Sequence, residues 1–122
     1  MNITNPQLHT GQGANGLWTL LVSAIVEFTP EEVNSGFEFE RWETVFKVDA
    51  VGADDLIMKS AALRFRPPSI KHVVESDFRD IPRHLIDTEL GGEEIFVQIS
   101  LRNFTTDSPA INARTPTVII SA

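Results

Sequence analysis

Apolar residues along this chain alternate with polar ones more often than they recur at helical spacing. In "LWTLLVSAIVEF", Leu17 to Phe28, the residues Trp18, Leu20, Val22, Ala24, Val26 and Phe28 share one parity. A two-residue period with one wholly apolar face predicts a strand. The opposite parity is half apolar, which predicts a central strand or one covered by a loop or a partner. Pro30 stops it.

The polar connection "PEEVNSG" leads into "FEFERWETVFKVD", where the apolar parity switches: Phe37 and Phe39 lie on one side, Trp42, Phe46 and Val48 on the other. An unbroken pleat cannot do this. The pattern therefore predicts a bulge or bend near Glu40 and Arg41, or a Phe37–Phe39 pair that belongs to the turn. "LIMKSAALRFR" predicts a third strand with Ile57, Ala61, Leu63 and Phe65 on one face, ended by Pro67 and Pro68. "IKHVVES" is a weaker strand.

Residues 77–92, "DFRDIPRHLIDTELGG", carry the one set of helical signals: Asp80 before a first-turn proline, Ile81, Leu85, Ile86 and Leu90 at helix-like spacing, and Gly91 as a cap. They predict a short helical turn on a long loop. "EEIFVQISLRNF" returns to clean alternation, with Ile95, Val97, Ile99 and Leu101 inward and Gln98, Ser100 and Arg102 outward. "TVIIS", Thr117 to Ser121, closes the chain as a short strand apolar on both faces, an edge that has to be covered or paired.

Short strands with turns between them and no strand–helix alternation predict an all-β fold, an antiparallel β-sandwich of about seven strands. In architecture this is similar to immunoglobulin-like and transthyretin-like sandwiches; a barrel or jelly-roll fragment is the alternative. Residues 1–16 read as a flexible or extended lead-in and 17–122 as one domain. The chain's 122 residues suffice for one core.

Charge narrows the partners. A net charge of −7 repels phosphate backbones and anionic lipid, which predicts neither nucleic acid nor membrane as a partner. No cysteine is present, so disulfides and thiolate chemistry drop out. The first sixteen residues hold no Lys or Arg, and no apolar run approaches a membrane span, so the expectation is a cytoplasmic protein.

"GQGANG", Gly11 to Gly16, matches G-x-G-x-x-G. That motif holds a phosphate only between a strand and a helix whose N-terminal amides face the anion. Here a strand pattern follows, so the glycines read as a loop and no cofactor is expected. Cation-binding candidates are Asp49, Asp54 and Asp55 around "AVGA", and Asp80, His84 and Asp87, which a helix over 81–90 would align on one face. Their spacing matches no calcium loop, and solvated carboxylates or a helix cap explain them equally well.

His9, His72 and His84 have no serine elbow nearby, and paired carboxylates such as Glu31–Glu32 read as turn residues, so no catalytic residue is assigned. His72 and Glu75 would point to opposite faces of a strand. Arg64, Arg66, Lys71 and His72 form the one basic cluster, without aromatics expected on its face. Trp18 and Trp42 fall on apolar parities and read as core. What remains is a non-catalytic structural or protein-interaction module that binds a protein partner or itself as a homo-oligomer. A ligand-binding module, using loop carboxylates for calcium or an exposed Trp for carbohydrate, is the competing class.

Overall fold

The computed structural model describes residues 1–49, 52–86 and 93–120. Among these residues nine strands and two short helices follow in the order β1 (Asn2–Gln12), β2 (Trp18–Glu27), α1 (Pro30–Asn34), β3 (Phe39–Lys47), β4 (Asp55–Lys59), β5 (Leu63–Phe65), β6 (Lys71–Ile81), α2 (Arg83–Ile86), β7 (Glu93–Asn103), β8 (Ile111–Arg114) and β9 (Val118–Ile120). All pairings are antiparallel. Sheet A has the order β1-β2-β6; sheet B is built on β3 and β7, with β4 and β5 along one edge and β8 and β9 along the other. Their inner faces share one core, making an antiparallel β-sandwich. Among the described residues no helix is long and apolar enough to cross a membrane.

Leu20, Val22, Ala24 and Val26 of β2 are buried against Val45, Ile95, Val97, Ile99 and Leu101 of sheet B, following the parity read from the sequence. The stretch read as a lead-in contains β1, whose pairing with β2 runs from Asn2↔Glu27 to Gln12↔Trp18. Pro6, which has no N–H to donate, sits where that register shifts between Thr4 and Gln7, beside Asn5 at φ 49°. The glycine motif is the turn of this hairpin: Gly13 N–H donates to Leu17 O (2.9 Å), Gly16 N–H donates to Gly13 O (3.0 Å), and a strand follows.

Several expectations need correction. β3 has no bulge or bend near Glu40 and Arg41: its register with β7 is unbroken from Phe39↔Asn103 to Lys47↔Ile95. Phe39, Arg41, Glu43 and Val45 all face inward, so the parity switch arose from two charged residues occupying core positions. Trp42 faces outward with Phe46 and is not core. The single strand expected over 56–66 is two, β4 and β5, because Ser60 replaces a strand partner: its N–H donates to Glu43 O (2.9 Å) and its Oγ accepts from Glu43 N–H (2.9 Å).

Within the segment expected to be helical, residues 77–81 belong to β6 and Arg83–Ile86 form α2; the rest of the segment, including Asp87, lies outside the described residues. Strand pairing with β2 outweighs a weak local helical preference there. Conversely, "PEEVN" is a helix. Thr29 caps it, with its Oγ1 accepting from Glu32 N–H (3.1 Å) and Glu32 Oε1 accepting from Thr29 N–H (2.8 Å).

Candidate functional site

Charge and apolar surface combine in at least two regions of the described residues. The first is the outer face of sheet B. Even-numbered residues of β3 and β7 point outward, so Phe46 meets Phe96 across the strands, with rings stacked at 5.3 Å. Arg114 of β8 lies over Phe96 at 3.8 Å from the ring centroid, and Lys59 of β4 lies over Trp42 at 5.2 Å. At the far end Arg64 covers Phe104 at 3.6 Å, flanked by Arg102 at 5.4 Å. Arg102 donates from Nε to Glu40 Oε1 (3.1 Å) and from Nη1 to Asp107 Oδ1 (2.7 Å), which fixes its plane.

Four cations thus sit on three aromatic rings on one face, where Glu40 and Glu94 are the outward carboxylates of β3 and β7. Exposed Leu56 and Ile119 extend the apolar area at opposite edges. Arg64 was assigned to a basic cluster without aromatics; the ring it covers, Phe104, follows directly after β7 and is brought there by β5–β3–β7 pairing. The signal in the sequence was Phe96 and Phe104, the two aromatics on the polar parity of an otherwise clean alternation.

The second region is the open flank between β5 of sheet B and β6 of sheet A. A cleft of about 320 Å³ lies there, with Leu63, Phe65 and Pro68 among its walls and Arg41, Arg66, His72 and Glu75 as its polar groups. Arg41 is at its base, 9% exposed, where its Nε stands 3.0 Å from Glu43 Oε1 but in an alignment that makes no hydrogen bond. Glu43 is satisfied from its other oxygen, Oε2, by the Ser60 hydroxyl (3.0 Å). His72 stacks on Phe28 (5.9 Å, 13°) with its edge to Phe65 (6.3 Å), and its Nδ1 is buried with no partner. Burial, and secondarily the Arg41 charge, hold His72 below the usual histidine pKa.

The described cation-site candidates fall at two separate places in the fold. Asp49 and Asp54 share the β3–β4 turn, where Asp49 N–H donates to Asp54 Oδ1 (3.1 Å), and Asp55 opens β4. Asp80 is not a helix cap: it lies in β6 at φ 57°, where the register with β2 shifts. His84 is exposed on α2, and Asp87 lies outside the described residues. Among the described residues no three His, Asp or Glu side chains converge on a metal position. Trp18 packs partly buried against the core with its Nε1 unpaired. His72 faces inward and Glu75 outward on β6, as their spacing requires, although both reach the cleft.

No protein-family description matches this chain, and no curated protein matches it in sequence.

Proposed function

We propose that the protein is a non-catalytic β-sandwich interaction module that associates through the outer face of sheet B, with a second copy of the chain as its partner. The observation that carries this reading is the cluster of Lys59, Arg64, Arg102 and Arg114 on the rings of Trp42, Phe96 and Phe104, in a chain of net charge −7. Arginine and aromatic side chains are the residues that concentrate at the centres of protein interfaces. The carboxylate excess lies elsewhere on the molecule, so a second copy offers the complementary sign.

Strand addition at the chain's end has less support than the alternation of "TVIIS" suggested. β9 already pairs with β7, and Ile120 is fully buried. The carbohydrate alternative needs a bare indole face, and Lys59 covers that of Trp42.

Sedimentation velocity tests the reading. At low salt the mass is expected to rise above 13.6 kDa with concentration. Added salt and the double substitution Arg64→Glu/Arg114→Glu should both return the monomer. A monomer at every concentration in low salt rules the reading out.

A further inference from the structure

The cleft between β5 and β6 is separate from the association face and calls for a different ligand. Burying a guanidinium is costly unless carboxylates or other acceptors surround it. Arg41 is buried with one misaligned ionic contact, to Glu43, and its Nε lacks an acceptor. His72 Nδ1, in the same cleft, is a second buried polar atom without a partner. Native interiors leave few such atoms, and two lining one cavity mark a place where a ligand completes the hydrogen bonding.

The rest of the cleft specifies the ligand further. Arg66, at the rim, is largely exposed; it donates to Gly36 O (3.2 Å) and stands 3.9 Å from Glu38, which steadies the side chain without closing off the cavity. Glu75 is the one carboxylate of the lining, against two guanidiniums. Phe65, Leu63 and Pro68 supply an apolar wall continuous with the Phe28–Phe39 pair beneath. A volume of about 320 Å³ suits a compact small molecule and excludes a folded partner. A planar guanidinium fork matches a planar carboxylate better than a point charge does.

We propose that this cleft binds a small carboxylate carrying an apolar group, with the carboxylate held by Arg41 and Arg66 and oriented by His72, and the apolar group against Phe65, Leu63 and Pro68. The arrangement needs only one copy of the chain, so it stands or falls independently of self-association.

Phenylacetate is the probe, followed by NMR at the His72 ring and the Phe65 methyl-free aromatic signals of the intact protein. Saturable shifts at both residues are expected, with a Kd on the order of 1 mM for so small a ligand. Phenethylamine, similar in shape and opposite in charge, should bind roughly tenfold or more weakly. Arg66→Ala, an exposed site that leaves the core intact, should weaken phenylacetate several-fold, and Arg41→Lys should weaken it further by removing the fork. Arg114→Ala, on the other face, should leave it unchanged. Should Arg41→Lys fail to fold, the amine comparison and Arg66→Ala decide the matter. Absence of saturable shifts at His72 and Phe65, equal binding of acid and amine, or full affinity in Arg66→Ala overturns the proposal.

Discussion

Arg41 Nε stands 3.0 Å from Glu43 Oε1 in the space between the sheets, two residues apart on the inward face of β3 and both more than nine-tenths buried. A buried pair of this kind adds little to net stability, because desolvating two charges offsets their attraction, yet losing one partner strands the other. Glu43→Gln is therefore expected to cost about 3–5 kcal/mol in urea unfolding, whereas Arg41→Met/Glu43→Leu should recover most of that loss. Equal stability of the single and double variants would show that the two side chains are not coupled.

His72 gives the fold a pH dependence of defined sign. Its folded pKa is lowered, by burial first and by Arg41 second, so the unfolded chain takes up a proton before the folded one does. The neutral ring's contribution is complete above the unfolded value of about 6.5 and is lost as pH falls from there toward the lowered folded value. The melting temperature should drop across that window, and His72→Gln should flatten that part of the curve. A His72 ring titrating at or above the ordinary histidine value by NMR would contradict this.

Thr115 stands in for strand at the break between β8 and β9. It is 2% exposed; its Oγ1 accepts from Val97 N–H (3.0 Å) and its own N–H donates to Val97 O (2.9 Å). Thr115→Val keeps the shape and removes the acceptor, leaving a buried amide unpaired at a cost of about 1–3 kcal/mol. Thr115→Ser should retain the bond. Amide exchange at Val97 reads the difference directly: it should accelerate in Thr115→Val and stay slow in Thr115→Ser.

The glycines of "GQGANG" differ in what they do. An added Cβ at Gly11 meets nothing within 4 Å and its backbone is strand, whereas Gly16 sits at φ +79° with equal room. Gly11→Ala should be close to neutral, and Gly16→Ala should cost roughly 1–2 kcal/mol from backbone strain alone. Thermal melts of the two variants separate a hairpin turn, which needs one positive φ, from a loop in which every glycine is required for backbone approach to a ligand.

Much of the fold was legible because strand periodicity is local. Leu20 to Val26 and Ile95 to Leu101 announce both their type and their buried face within a few residues. The expected strand over 17–28 is β2, and the cleanest alternation belongs to β7, a central strand of sheet B. The capping box at Thr29 and Glu32 was also local, and was overlooked because a five-residue helix shows too little periodicity to stand out beside its turn residues. Residues 77–81 show the opposite: proline and a favourable cap suggested a helix, and pairing with β2 made them strand.

The candidate sites were far less legible, since each is assembled from residues distant in sequence. Arg64 meets Phe104, and Arg41 meets His72, only through the pairing of β5, β3 and β7 and the packing of β6 across the flank.

Alternating apolar residues determined by themselves that this chain is built of strands, because burial of one strand face is a property of neighbours two residues apart; that they form two packed sheets and not a barrel was decided by the strand pairing. The inward placement of Arg41 and Glu43, and with it the outward turn of Trp42 and Phe46, was decided only in three dimensions. A strand's polarity pattern is ambiguous once charges enter its core face; β3's fixed register with β7 settles which side faces in.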